Sequence, residues 1–195
     1  MAKLEPDVIS ALKRQVPKLA RKGLDKAARK KFKEIKQEMI NEFLGHPITQ
    51  EIMGGPSASN ISGTLGGTSN LFAFIGFNEG DDPIAPILTL LENVTFQYES
   101  DIKNSTRGLG VNFKVNLPLP EDIFVITPLP WATGRSWAQG IERGLSGLGH
   151  LLIKNKGRSG AAVQTSVKVR GGRFQNGPYI STFLSKYKKK FEELK

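Results

Sequence analysis

The stretch Gly54–Phe77, GGPSASNISGTLGGTSNLFAFIGF, decides how this chain is read. It begins small, polar and glycine-dense, and it ends at Leu71–Phe77 in one of the most apolar runs of the sequence. Read as a phosphate cradle, it makes the chain an enzyme; read as an assembly loop, it makes the chain a structural protein. A P-loop needs a lysine followed by Ser or Thr, after a strand and opening a helix. The stretch holds no lysine, and the run that follows it reads as a buried strand. The dinucleotide fingerprint needs the same strand-loop-helix order. Gly108-Leu109-Gly110 supplies two of its glycines, but Phe113 stands at the third position and a strand follows. The glycines of 54–70 are therefore expected to give turns and close backbone contacts in an assembly loop. Leu71–Phe77 is the core strand expected to anchor it.

On the N-terminal side lies a long basic helical pattern. Glu5-Pro6-Asp7 is a helix start, with proline and acids where the first turn favours them. Pro17 is expected to kink or interrupt the helix. Leu24, Ala28, Phe32, Ile35, Met39 and Phe43 then recur at steps of three or four and form one face. Gly45-His46-Pro47 is the expected stop. Lys22, Lys26, Arg29, Lys30, Lys33 and Lys36 fall mostly off the apolar stripe. Arg29, Lys30 and Lys33 are candidates to face DNA or an acidic partner. The alternative is a solvated face whose lysine stems shield the stripe. No exposed aromatics interleave with them for base stacking.

On the C-terminal side, Asp82-Pro83 is expected to cap a short helix carrying Ile84, Ile87, Leu88 and Leu91. Val94, Phe96 and Tyr98 alternate as a strand, as do Val111, Phe113, Val115 and Leu117. Glu121-Asp122 is expected to open a strand over Ile123–Thr127. Trp137, Ile141 and Leu145 mark a short helix, and Leu151–Ile153 and Val163–Val169 two more strands. Between those strands, Lys154, Lys156 and Arg158 form a basic loop, a second candidate for contact with DNA or an acidic partner. A last helix carries Ile180, Phe183, Leu184, Tyr187, Phe191 and Leu194 opposite Lys186, Lys188, Lys189 and Lys190.

The expected fold is a single α+β domain over 1–195. It comprises a basic helical region at 1–45, a Gly/Ser-rich loop at 46–70, a mostly antiparallel sheet with short helices at 71–170, and a helix at 177–195. The 195 residues include no cysteine, so thiol nucleophiles, disulfides and thiolate metal sites are excluded. The two histidines, His46 and His150, have no carboxylate cluster near them in sequence. Asp81-Asp82 reads better as a helix cap than as a metal site. Gly144–Gly147 lacks the spacing of a nucleophile elbow. No catalytic residue, cofactor or metal is expected. No apolar run reaches membrane-spanning length, and the charged N-terminus lacks a signal-peptide pattern, so the expectation is a protein made and assembled inside a cell. The net charge of +10 points to nucleic acid or acidic protein surfaces.

A long basic helix followed by Pro56, then Ser62-Gly63-Thr64-Leu65, resembles the neck, or head-to-tail joining, proteins of tailed bacteriophages. Many of these carry a proline and then Ser/Thr-Gly-x-Leu directly after their first long helix. The gap between proline and motif is longer here, and the segment Trp131–Trp137 has no counterpart in the pattern. The resemblance implies a non-enzymatic virion protein, assembled in the host cytoplasm. It would form a homo-oligomeric ring between the portal or its adaptor and the tail terminator or tail tube, around the DNA channel. It marks Pro56, Ser62, Gly63, Leu65 and Gly66 as a subunit-interface loop. A tail terminator or tail-completion protein, or a basic nucleic-acid-binding protein, are the alternatives.

Overall fold

The computed structural model describes residues 6–65, 70–102, 110–143 and 179–193, with the side chains of 21–65, 70–100, 111–143 and 179–193 among them. Within these residues the fold is α+β. In chain order it runs α1 (Pro6–Gly45), α2 (Pro47–Met53), a 3-10 turn (Gly55–Ser57), α3 (Leu71–Ile75), α4 (Ala85–Glu92), β1 (Thr95–Ile102) and β2 (Gly110–Asn116). It continues with α5 (Pro120–Val125), β3 (Pro128–Leu129), β4 (Ala132–Ser136), α6 (Trp137–Arg143) and α7 (Ile180–Glu192).

Helix α1 is one element of 40 residues, about 60 Å long at 1.5 Å per residue. It continues through Pro17, contrary to the expected interruption. A proline removes one helical donor, and the bonds on either side carry the element across. The predicted face is real from Phe32 onward: Phe32, Met39 and Phe43 are buried, and Ala28 and Ile35 are partly covered. Leu24 departs from it and is 41% exposed.

Against that face lies α7, whose Phe183, Leu184, Tyr187 and Phe191 are all buried. Burying each such side chain contributes about 1.5–3 kcal/mol. The Phe32 ring lies 5.2 Å from Phe96 and 5.5 Å from Phe191, so α1, β1 and α7 meet at one residue. Polar ties flank the contact. Lys186 Nζ and Tyr187 Oη donate to the Glu42 carboxylate at 2.6 and 2.7 Å, and Lys190 pairs with Glu38.

Two short segments expected as strands are helices. Leu71–Ile75 is α3, with the Asn70 side chain accepting from Ala73 N at 2.8 Å at its start. It ends at Gly76, whose left-handed φ of 89° permits the C-terminal turn. A Cβ at Gly76 would also stand 3.1 Å from the Trp131 ring, whose Nε1 donates to Ile75 O at 2.6 Å. The second is α5, in place of the strand at Ile123–Thr127. Pro120 sits in its first turn, and Asp122 accepts from Leu119 N at 2.8 Å. Both runs are too short and too apolar for periodicity to separate helix from strand, and the caps decide.

Strands β1 and β2 pair antiparallel from Thr95↔Asn116 to Ile102↔Gly110, with a bulge between Tyr98 and Ser100. Strands β3 and β4 form a second, separate two-stranded ladder. The sheet is thus in two pieces, each packed on helices. Asp82 caps as expected, its Oδ1 accepting from Ile84 N and Ala85 N, although α4 starts only at Ala85. The strands expected at 151–153 and 163–169 and the helix start at Gly177-Pro178 lie outside the described residues.

Candidate functional site

Two features stand out on the frame: a loop held from within, and a helix that outruns the body.

The loop begins where α2 ends. Glu51, on α2, is fully buried at 0% exposure. Its two carboxylate oxygens face different parts of the loop. Oε2 accepts from Ser62 N at 2.9 Å, and Oε1 from Leu71 N at 2.7 Å. Charge-assisted bonds to backbone amides are the strong kind, and here they satisfy a carboxylate that burial would otherwise penalise. A second clamp is Asn70. Its Nδ2 donates to Pro56 O at 2.7 Å and to Ala58 O at 2.9 Å, while its Oδ1 caps α3. Ser62 Oγ and Thr64 Oγ1 are hydrogen-bonded at 2.8 Å, with Thr64 buried.

The sequence-derived residues fall on this loop with distinct roles. Pro56 sits in the 3-10 turn, exposed, and offers its carbonyl to Asn70. Ser62 gives its amide to Glu51. Gly63 adopts φ +66°, with open space where a Cβ would stand, so its need for glycine is one of backbone alone. Leu65 packs partly buried against the core. Gly66 lies outside the described residues. Glu51 and Asn70, which hold the loop, were not singled out from the sequence. An acid within an α2 segment of PITQEIM gives no local sign of partners 11 and 20 residues ahead. On the surface around this clamp, Met53 is 55% and Ile61 50% exposed.

The basic helix divides into two sectors. Arg21 stacks over the Tyr98 ring at 4.0 Å, and Arg29 lies 5.4 Å from the Phe96 ring while its Nε donates to Asp25 at 2.8 Å. Lys36 Nζ donates to Glu92 O and, at 3.1 Å, to Val94 O, placing a cation at the C-terminal end of α4. Arg21, Arg29 and Lys36 therefore lie down on β1 and the end of α4, and they fix the rotation of α1 about its axis. Lys22, Lys26, Lys30 and Lys33 are exposed. Lys30 approaches Glu34 at 3.9 Å, with both side chains largely in water, a pairing of little energetic weight. Of the three candidates on this helix, Lys30 and Lys33 belong to the exposed sector and Arg29 to the pinned one. Lys154, Lys156 and Arg158 lie outside the described residues.

His46 is a structural residue. Its Nδ1 accepts from Ile48 N at 3.3 Å, capping α2, and its ring centroid is 4.8 Å from that of Tyr179. Burial lowers its pKa, partly countered by the Glu42 carboxylate. Among the described residues no three His, Asp or Glu side chains converge in a metal-binding group. Compared with family models, curated proteins and solved structures, the chain matches none.

Proposed function

We propose that this chain is a structural subunit of a tailed-bacteriophage neck, forming a ring that joins the portal or its adaptor to the tail. The observation that supports this reading is the loop segment 54–65. Buried Glu51 and Asn70 fix it from inside, and half-exposed Met53 and Ile61 flank the fixed segment. A loop tied down in this way presents a preformed surface, which lowers the ordering cost of association. Ring closure requires two different surfaces on each subunit.

The test uses the purified protein and virions of the phage that encodes it. Mass measurement should give a closed oligomer or its assembly with adjoining virion proteins, and the chain should be found in mature particles. A double variant, Met53→Ser with Ile61→Ser, should retain its unfolding midpoint, since both side chains are exposed, and lose higher-order assembly. A chain that stays monomeric with every virion protein and is absent from particles overturns the proposal. So does a double variant that assembles like the parent.

A further inference from the structure

We propose that Lys22, Lys26, Lys30 and Lys33 form a docking stripe for the phosphate backbone of duplex nucleic acid. Steps of four, four and three residues keep these lysines within an arc of about 80° on an α-helix, over a length of about 16 Å. The stripe lies about a quarter turn from the sector occupied by Arg21, Asp25, Arg29 and Lys36. Because that sector is pinned to Tyr98, Phe96 and the carbonyls of Glu92 and Val94, the stripe is held turned away from the body. All four lysines are exposed, and among the described residues the only acid paired to any of them is Glu34, 3.9 Å from Lys30. They sit in a strongly basic part of the chain: residues 1–36 hold twelve Lys or Arg and four Asp or Glu, a net +8.

The chemistry of the stripe selects the occupant. Protein interfaces are organised around buried aromatic or aliphatic anchors. Between residues 22 and 33 that arc carries lysine alone. Lysine is a compact, hydrated point charge suited to phosphate, without the planar fork that reads carboxylates or guanines bidentately. Duplex DNA presents one charge per about 1.7 Å of axis, so a 16 Å stripe meets a dense row of phosphates at any sequence. The docking is sequence-independent and fails with rising salt.

The inference extends the ring reading by naming a partner, and its test is separable from that reading. Binding of a labelled 20-base-pair duplex is followed by anisotropy between 50 and 200 mM salt. The parent should show a steep fall of log affinity with log salt. The variant Lys22→Gln, Lys26→Gln, Lys30→Gln, Lys33→Gln should have a slope shallower by about three to four. Its far-ultraviolet dichroism and oligomeric mass should match the parent. Lys188→Gln with Lys189→Gln, on α7, should leave the slope within about one unit of the parent. Absence of duplex binding at 50 mM salt overturns the proposal, as does an unchanged slope in the quadruple variant. Displacement of the duplex by polyglutamate at equal charge would likewise overturn it, in favour of an acidic protein partner. Loss of duplex binding with ring formation intact supports the stripe whatever the fate of the neck assignment.

Discussion

At the scale of single residues, Glu51 has the largest expected effect. Its carboxylate is buried and accepts two backbone amides, one from Ser62 within the loop and one from Leu71 just past its end. Glu51→Ala leaves both donors without their acceptor, at about 1–3 kcal/mol for each unsatisfied group. A loss of roughly 2–5 kcal/mol in denaturant unfolding is therefore expected. Glu51→Gln keeps one acceptor oxygen and should cost clearly less. Equal losses in the two variants would mean that side-chain volume, not the amide bonds, holds the loop. Gly63 changes meaning on the same grounds. With φ at +66°, a β-branched residue there is strained in the monomer itself. Its replacement is therefore a poor reporter of subunit contact, and exposed Met53 and Ile61 are the cleaner probes.

At the scale of elements, α1 is the outlier, about 60 Å long in a chain of 195 residues whose folded body would span about 40 Å. Its stretch beyond the core contains Gly23, which has no positive φ and open space at its Cβ position. Gly23→Ala should therefore add up to about 1 kcal/mol of local helix stability. Amide exchange should slow across residues 20–27, and helicity at 222 nm should rise, while the cooperative unfolding midpoint barely moves. A fall in helicity would show that position 23 needs glycine. How legible each element was follows the same physics. Helix α7 and the later part of α1 carry a full apolar period, and β1 and β2 alternate cleanly, so spacing alone revealed them. LFAFI and the run after Asp122 have no period, and there the information sat in single caps: Asn70, Gly76, Pro120 and Asp122. Those signals are in the sequence and outweigh the apolar content. The loop's attachment to Glu51 was not legible, because nothing local distinguishes an acid that folds inward from one that faces water. The division of the basic face was hidden for a related reason. Periodicity separates basic from apolar positions, but only the aromatics of β1 and the carbonyls at the end of α4 decide which cations lie down.

At the scale of the whole molecule, acid should loosen the joint where α1, α2 and α7 meet. His46 caps α2 through an unprotonated Nδ1, and burial as its leading cause lowers its pKa from the ordinary 6.5. Glu42 is held below the ordinary 4.5, first by the hydrogen bond from Lys186 and then by that from Tyr187. For both groups the folded pKa is the lower one, so between the folded and unfolded values the unfolded chain binds more protons. Stability is then complete above the unfolded pKa and declines as pH falls through the folded one. The decline should begin below about pH 6.5 through His46 and continue below about pH 4.5 through Glu42. The Glu42 side chain is 37% exposed, so solvent screens it and the second step is the shallower for this pair. Thermal unfolding from pH 7.5 to 5.5 should show the first step in the parent. His46→Asn keeps a capping oxygen without a titrating ring and should be nearly flat over that range. A parent that is itself flat there contradicts the argument, as does a decline that persists unchanged in His46→Asn. The ties from Glu42 to Lys186 and Tyr187, and the ring of His46 beside Tyr179, all span from the N-terminal helices to α7. Acid loss at these groups should therefore appear as cooperative unfolding of the body rather than as fraying of α1 beyond it.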